Sequence, residues 1–423
     1  MIKMASKIYG LDADLTTGKF VRLADAAGKG PGADFDEAKM YAGRRRCNLA
    51  DDGAVLSYYG DPAYSETGAL TVAVSKDGRE YPVGTSVQVM VEQPKFYYKV
   101  EPVVLEDIEG GIGRHLRRAK WYVSDGKQEG FKIHPNFMRN GKEYDFIYSA
   151  AYESCLFDAS AGAYCLEDEQ IFENTVEPGD MLSAISGAKP ACGVKQFLTR
   201  ANGRILTANR GPGWQIIDFL SLNATELLMI IEFADFNMQK KIGKGIVGKE
   251  GGTVNSADKT GQTSFLGNGT GNAPGEDGFS SVTYRGEENL WGNIWSIVEG
   301  LNFECKGINH VYYADHDYKD DCKEAPYKNA GFTLCKKDGY NSAFGYTPEC
   351  DFMFLASETN DNEEGPVGDF FMQKNAFEGF TISMLGGRWH QGPKAGPFFW
   401  YADCMTGNHS QNVSMRIMYV PGR

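Results

Sequence analysis

Alternation of apolar and polar residues predicts strands in the first third of the chain. In TSVQVMVEQPKFYYKVEP, Val87, Val89 and Val91 alternate with polar residues, and the same pattern resumes after Pro94. A two-residue period is typical of half-buried strands, because successive side chains of a strand point to opposite faces. The pattern recurs over residues 121–153, with turn signals at SDGKQEG and RNGKE. We therefore expect several short strands joined by turns.

Two stretches instead show the spacing of a helix. After GPGWQIIDFLS, apolar residues recur every three or four positions in ATELLMIIEFA, and Asn223 with Glu226 matches a capping box. In EENLWGNIWSIVEG the apolar residues share one helical face, and Gly300 is suited to end a helix. These stretches predict the two main helices.

The remaining segments predict loops and a division into two parts. Residues 243–280 are rich in Gly, Asn, Thr and Ser without a hydrophobic period, which predicts a long surface loop. Residues 301–385 are expected to form irregular loops with short strands such as CDFMFLA. Residues 1–85 carry turn signals between short apolar stretches and predict a small β-rich region for attachment or oligomerisation. Residues 86–423 then form the main domain.

Composition narrows the range of partners. The chain has 423 residues, 42% of them hydrophobic, which is enough for a sizeable core. Its formal charge of -13 would repel nucleic acid and anionic membrane surfaces, so we expect neither as a partner. The start MIKMASKIYG lacks the apolar region of a signal peptide, and the longest aliphatic run is only Leu227 to Ile231. We expect synthesis in a cytosol without membrane insertion.

Sequence motifs give no support for catalysis. GKGIVGKE lacks the Ser or Thr of a phosphate-binding loop, no GxSxG motif occurs, and the six histidines have no metal-binding spacing. The acidic runs ADHDYKDD and ETNDNEEG lack the spacing of an EF-hand, although calcium binding stays open. The nine cysteines form no CxxC pair and are expected to be mostly free thiols; one local disulfide stays open. We therefore expect a protein that is not an enzyme and has no cofactor or metal.

The C-terminal sequence GGRWHQGPKAGPFFWYADCMTGNHSQNVSMRIMYVPGR differs from the rest of the chain. Framework-like residues alternate there with large polar or aromatic residues, and the framework set is Gly386, Gly387, Trp389, Gly392, Ala395, Gly396, Trp400 and Arg416. Gly allows close approach of the backbone and Trp anchors the core, so the side chains between them can vary in sequence without unfolding the domain. Aromatic and polar side chains on rigid loops are typical of recognition surfaces. The alternatives are an ordinary core, accepted for Trp389 and Trp400, and a plain solvated surface.

This ending resembles known families. NLWGNIWSIVEG followed by GGRW and AGPFFW resembles the C-type lectin fold of formylglycine-generating enzymes. More closely, the ending is similar to GGxWxxGxxAGxFxW of variable proteins that retroelements diversify in phages and bacteria. Further stretches, such as GFKIHPNF and NRGPGWQIIDFLS, resemble phage tail receptor-binding proteins of gut bacteria. The resemblance implies an α+β, C-type lectin-like fold with two main helices, short strands and long loops after a small β-rich N-terminal region.

The resemblance also implies a function. The chain would be a receptor-binding protein on a phage tail or cell surface, presenting a variable region at about 386–416 to a protein or glycan of the host cell. It would join other tail proteins and form a homo-oligomer, with a trimer expected. The positions carried over as variable ligand-binding positions are Arg388, His390, Gln391, Lys394, Phe399, Tyr401, Asp403, Cys404, Met405, Asn408, His409 and Gln411.

Three other functions stay open. These are a carbohydrate-binding lectin of fixed specificity, a structural tail component and, least favoured, a formylglycine-generating oxidase. The oxidase branch uses two cysteines around an aromatic and basic stretch, whereas this chain has Pro397 and Ala402 there, with only Cys404 nearby. A second departure is Met415, which stands before Arg416 where related endings commonly have Gly.

Overall fold

The protein is built mainly from β-strands. The computed structural model describes residues 6–168, 179–193, 198–252, 255–373 and 378–422. Strands account for 39% of the residues and helices for 11%. The predicted α+β, C-type lectin-like fold with two main helices is therefore wrong. Its first predicted helix forms, but the second stretch is part of a large sheet.

The strands of the described residues are, in chain order, β1 (Ile8–Asp14), β2 (Lys19–Ala24), β3 (Arg45–Ala50), β4 (Val55–Tyr58), β5 (Val74–Lys76), β6 (Arg79–Tyr81), β7 (Val87–Pro94), β8 (Tyr97–Asp107), β9 (Arg114–Ser124), β10 (Lys132–Ile133), β11 (Met138–Arg139), β12 (Lys142–Glu143), β13 (Phe146–Ala150), β14 (Cys155–Asp158), β15 (Ala163–Tyr164), β16 (Met181–Ser183), β17 (Trp214–Ile216), β18 (Gly271–Asn272), β19 (Val282–Tyr284), β20 (Glu287–Glu288), β21 (Trp295–Lys306), β22 (Ile308–Tyr313), β23 (Lys328–Leu334), β24 (Gly339–Tyr346), β25 (Ala356–Asn360), β26 (Phe370–Gln373), β27 (Gly379–Gly386), β28 (Gly396–Cys404), β29 (Val413–Met415) and β30 (Ile417–Tyr419). The α-helices are α1 (Lys39–Ala42), α2 (Arg200–Ala208), α3 (Phe219–Phe233) and α4 (Met238–Lys241). Short 3-10 helices occupy Ala33–Phe35, Pro135–Phe137, Ser264–Leu266 and Gly392–Lys394.

Two sheets contain most of these strands. The larger sheet has 14 strands, and its longest path runs β10-β8-β9-β24-β26-β28-β27-β21-β22-β23. Most of its neighbours are antiparallel, but β26 pairs with β28 and β21 pairs with β29 in parallel. The second sheet has six strands in the order β17-β30-β13-β7-β3-β4. The C-terminal strands β27 to β30 therefore contribute to both sheets.

Strands from both sides of the predicted boundary at residue 85 share these sheets. Strand β1 pairs with β9, and β3 pairs with β7, in both cases antiparallel. The boundary therefore does not coincide with a break in either large sheet. A separate role of residues 1–85 in attachment stays a prediction.

Helix α3 confirms the first predicted helix but begins earlier than expected. Its N-cap is Asp218, whose Oδ1 accepts a hydrogen bond from the Ser221 amide at 3.0 Å. Asn223 lies inside the helix and donates to Glu226 instead of capping the backbone. Every residue of the helix except Phe233 is buried. A helix that is apolar around most of its circumference lies in a protein core, and α3 accordingly contacts β1, β9 and β21.

The second predicted helix is absent because its sequence adopts an extended structure after two left-handed turns. Asn289 and Asn293 have φ of 53° and 54°, and Gly292 has φ of 77°. These conformations interrupt a right-handed helix, and strand β21 begins immediately afterwards. The apolar residues of the stretch are buried on both faces of the strand. Their spacing therefore did not reflect one buried and one exposed side, which is the contrast that a helical period normally reports.

Several smaller expectations also need correction. Strand β7 forms as predicted but is buried along its whole length, not half-buried. CDFMFLA is buried without being a strand, and β25 begins only at its last residue. Residues 301–385 contain long strands, including the 12-residue β21, instead of mainly loops. Residues 243–280 have little regular structure, as expected, yet Ile246 and Val247 are buried, so the segment is not only a surface loop.

No helix in the described part of the chain has the length and apolar character needed to cross a membrane. None of the nine cysteines forms a disulfide in this structure, and seven of them are buried.

Candidate functional site

Three glycines of the C-terminal framework, Gly386, Gly387 and Gly396, are held where a side chain would meet neighbouring atoms. Gly386 ends strand β27 with φ of 96°, and a Cβ atom there would lie 2.7 Å from the carbonyl oxygen of Leu290. Gly387 follows with φ of 87°. At Gly396, where β28 begins, a Cβ atom would lie 2.0 Å from Oδ1 of the buried Asp369. Close approach of backbone to neighbouring groups therefore explains these three glycines.

The framework residues Trp389, Trp400 and Arg416 anchor the same region in the protein core. Trp389 and Trp400 are 0% and 1% exposed, which agrees with the core role expected for them. Arg416 is also buried, and its guanidinium donates to the backbone carbonyl oxygens of Glu288 and Asn289. These hydrogen bonds compensate for the free-energy cost of burying the positive charge of Arg416.

Two loops lie between the framework strands and are braced by distant segments. The loop 387–395 joins β27 to β28, and within it the Gly392 amide donates to the Val247 carbonyl at 3.0 Å. Gln239 in α4 donates to the Ala395 carbonyl at 2.6 Å. The loop 405–412 joins β28 to β29 and accepts, through its Asn412 carbonyl, a hydrogen bond of 3.1 Å from the Trp295 amide. Both loops are thus tied to the scaffold through backbone groups, which leaves most of their side chains unconstrained.

A cavity of about 250 Å³ lies between these two loops. Five of the twelve predicted ligand-binding residues line it, namely Arg388, Gln391, Tyr401, Cys404 and Asn408. The remaining lining residues are Trp295, Met372, Met384, Ser410, Asn412 and Val413. Residues that are up to 20 positions apart in the predicted region therefore meet at one site.

An aromatic contact forms part of the cavity lining. Trp295 packs against Tyr401 with ring centroids 5.3 Å apart and against Phe399 with centroids 4.6 Å apart. Trp295 is the first residue of β21 and is 3% exposed, so it belongs to the core and to the cavity at once. Tyr401 remains partly exposed beside it.

The electrostatics of the cavity are dominated by Arg388. Within the described residues its side chain forms no hydrogen bond or ion pair, and its Nε atom is buried without a partner. Burial lowers the pKa of Arg388, and the nearby Tyr401 opposes this shift only in part. Burial also raises the pKa of Tyr401, with a further contribution from the charges of Cys404 and Asp403. Tyr401 is therefore a neutral phenol that can donate or accept a hydrogen bond at neutral pH.

The other seven predicted residues do not line this cavity. Phe399 is fully buried between Trp295 and Phe370, so its side chain is not presented at the surface. Lys394 places its Nζ 4.3 Å from the centroid of the Phe370 ring. The remaining five, His390, Asp403, Met405, His409 and Gln411, are exposed or half-buried around the two loops.

Cys404 lines the cavity but is only 8% exposed, so little of its side chain is accessible to a ligand.

His390 packs edge-on against Trp389, with ring centroids 5.8 Å apart. Burial lowers the pKa of His390, and the positive charge of Arg388 lowers it further. The imidazole of His390 is therefore neutral at neutral pH.

Sequence reasoning missed six residues of the cavity. Ser410 and Asn412 flank Gln411 in a polar stretch, and extending the alternation by one position would have found them. Met372 and Met384 lie on β26 and β27, outside or at the edge of the predicted region. They reach the cavity only because β28 lies between these two strands in the sheet.

A second cavity, of about 310 Å³, contains a serine and a histidine in contact. Nδ1 of His115 lies 2.8 Å from Oγ of Ser357. The adjacent Glu358 binds Arg117 through both carboxylate oxygens instead of orienting the imidazole. Burial lowers the pKa of His115, and both residues are buried. Among the described residues, no carboxylate is hydrogen-bonded to this imidazole to complete a triad.

Across the described ranges, no group of three His, Cys, Asp or Glu side chains is placed to hold a metal ion. In comparisons with known proteins, no family model matched the chain and no curated sequence was significantly similar to it.

Proposed function

We propose that this protein is a non-enzymatic receptor-binding protein whose recognition site is formed by the loops 387–395 and 405–412. One observation carries the proposal: five interleaved positions of the C-terminal sequence converge on one cavity, while the framework residues Trp389, Ala395, Gly396 and Trp400 between them are buried. A surface whose side chains change without unfolding the protein needs buried framework positions of this kind. The core residues Trp295, Met384 and Val413 form a fixed part of the cavity lining.

The scaffold beneath the loops suits recognition. Hydrogen bonds hold the loops in place before any ligand arrives: the Val247 carbonyl accepts from one loop, and the Gln239 side chain and the Trp295 amide donate to loop carbonyls. A preformed site loses less conformational entropy on binding than a mobile one, so a few contacts can give useful affinity. Tyr401 and Arg388 are of the residue types that contribute most to binding at interfaces.

The biological setting that we propose is a phage tail that recognises a host-cell surface. The ending GGRWHQGPKAGPFFW supports this setting, because it is similar to the variable region of proteins diversified by retroelements. In such a setting the protein would work with other tail proteins as a homo-oligomer in the virion. Several copies on one tail would let weak single-site affinities add through avidity.

Sequencing the gene in a natural population tests whether this site is diversified. We would compare codons 380–420 with codons 290–300, which encode buried scaffold residues of the same protein. We expect substitutions at Arg388, Gln391, Tyr401 and Asn408, with none at Trp389. Equal variation in the two segments, or no variation in either, would favour a lectin of fixed specificity or a structural tail component.

A binding experiment tests recognition directly. The fluorescently labelled full chain would be added to a panel of intact bacterial strains and read by flow cytometry. We expect binding to a subset of strains and its loss when Arg388, Gln391, Tyr401 and Asn408 are all replaced by Ala. The control carries four Ala substitutions at exposed positions elsewhere, namely Lys19, Val83, Glu129 and Lys306. Binding that survives the first set of changes, or is lost equally in both variants, would contradict the proposed site.

A further inference from the structure

Arg388 is a half-buried cation that has no negative partner among the described residues. Among the other buried arginines, Arg44 pairs with Glu287, Arg139 with Asp218 and Arg285 with Glu232, whereas Arg416 is held by backbone carbonyl oxygens. By contrast, no described carboxylate lies within ion-pair distance of Arg388, and its Nε is buried without a hydrogen bond. Removing a guanidinium from water without a partner is unfavourable, so an anion entering this cavity would be stabilised there.

The rest of the lining contains several uncharged polar groups that can form hydrogen bonds with a ligand. Gln391, Asn408, Ser410 and Asn412 contribute amides and a hydroxyl to the lining, and Tyr401 adds its phenol. The Ser410 hydroxyl also donates a hydrogen bond to Oδ1 of Asn412. Amide, hydroxyl and phenol groups can donate to and accept from the O–H groups of a ligand.

The cavity also has an apolar part of suitable shape for a ring. Trp295, Met384 and Val413 are nearly fully buried and line it beside Tyr401. Its volume of about 250 Å³ lies just below the range of about 300–1,000 Å³ typical of pockets for drug-sized molecules. One monosaccharide-sized unit of a larger ligand therefore matches it better than a long peptide segment.

We propose that this cavity binds one carboxylate-bearing sugar residue of a surface glycan, with its carboxylate on Arg388. This inference rests on the proposed receptor-binding function and specifies its ligand. The guanidinium can hold a carboxylate through two parallel hydrogen bonds. The amides and hydroxyls meet the sugar hydroxyls, and the apolar side chains meet the ring. A single acidic residue is favoured over a densely charged polyanion, because the protein as a whole carries a net charge of -13.

The test uses arrayed glycans in matched pairs. One member of each pair ends in a uronic or sialic acid residue, and in the other member the carboxylate is reduced to an alcohol. We expect the full-length protein to bind one or more acidic glycans at least about tenfold more tightly than their reduced partners, as the loss of a charge-assisted hydrogen bond implies.

Two variants assign the effect to Arg388. Arg388→Gln should remove the preference for the acidic member, while Arg388→Lys should retain part of it. Lys306→Gln is the matched control, because it removes a positive charge from an exposed position outside both loops and outside the cavity lining. Thermal unfolding of each variant would show that the fold is kept.

The outcomes separate this inference from the proposed function. Equal binding to acidic and reduced glycans, or binding of arrayed acidic peptides in place of glycans, would overturn the acidic-sugar assignment. The same holds if the wild type binds bacterial cells and Arg388→Gln binds them equally well. A wild-type protein that binds neither cells nor glycans would overturn both proposals.

Discussion

The backbone amide of Trp389 donates a hydrogen bond of 3.1 Å to the backbone carbonyl oxygen of Asn293. Asn293 is held in turn by its side chain, which donates to the buried carboxyl group of Glu153 at 3.1 Å and accepts from the Asp258 amide at 2.8 Å. A buried polar network thus connects the loop 387–395 to three distant parts of the chain. The position of the candidate recognition loop depends on this network.

Replacing Asn293 by Ala should destabilise the protein markedly. The change removes the side-chain hydrogen bonds to Glu153 and Asp258 and places alanine in a left-handed conformation, at φ of 54°, that asparagine tolerates better. Together these effects should lower the free energy of unfolding by about 2 to 4 kcal/mol. Asn140→Ala is the control, since Asn140 has φ of 48° but is exposed. Denaturant unfolding should show a much smaller loss for it, and equal losses would mean that only the backbone conformation matters.

Glu153 should make stability depend on pH. Burial raises its pKa from an ordinary 4.5 to about 7, the charge of Glu288 adds to the shift, and Arg416 opposes it. Between these two pH values the folded state holds a proton that the unfolded state has lost. Stability should therefore fall as pH rises from about 4.5 to 7, by no more than about 3 kcal/mol from this group, and level off above.

Glu153→Gln tests this dependence, because the amide is neutral at all pH values and keeps the size of the side chain. Unfolding free energies measured at several pH values should fall less steeply in this variant than in the wild type. The exposed Glu129→Gln should retain the wild-type profile. A Glu153→Gln profile that matches the wild type would assign the pH dependence to other groups.

Gly396→Ala should disrupt the start of β28. A Cβ atom would lie 2.0 Å from Oδ1 of Asp369, whose other oxygen accepts the Phe398 amide at 2.7 Å. The forced shift should cost about 1 to 3 kcal/mol or more, as overpacking of a dense interior does. Gly407→Ala is the matched control, because nothing lies within 4 Å of a Cβ atom there. Thermal unfolding should distinguish the two, and a harmless Gly396→Ala would contradict its framework role.

Phe399 and Met405 should behave in opposite ways although both were predicted to be variable. Phe399 is fully buried against Trp295, and Phe399→Ala should lower stability by about 3 to 5 kcal/mol. Met405 is 54% exposed, and Met405→Ala should change stability by less than about 0.5 kcal/mol. Calorimetry of both variants checks this, and a stable Phe399→Ala protein would return that position to the variable set.

Local sequence patterns predicted some elements because their signals do not depend on the partner surface. The alternation around Val89 corresponds to β7, and the apolar run after Asp218 corresponds to α3. The framework glycines and tryptophans were also recognisable, since few residues other than Gly tolerate their backbone conformation and few side chains fill the core as Trp does.

Local sequence patterns did not predict the structure of NLWGNIWSIVEG correctly. Its apolar spacing fits a helix, but burial on both sides removes the contrast that periodicity detects. The left-handed conformations of Asn289 and Asn293 are stabilised by contacts with Glu153, which lies more than 130 positions earlier in the chain. The fold class was predicted wrongly for this reason.

The sequence by itself predicted which C-terminal positions are framework and which are interleaved with it, because steric limits on Gly and the bulk of Trp are local properties. Tertiary structure alone decided which interleaved side chains meet. Arg388, Tyr401 and Asn408 share a cavity because parallel and antiparallel pairing places β26, β27, β28 and β29 around them. Pairing between strands that are far apart in sequence leaves no pattern within the sequence of any one strand. For this reason the sequence did not show that Phe399 lies in the core or that Arg388 is the cation of the cavity.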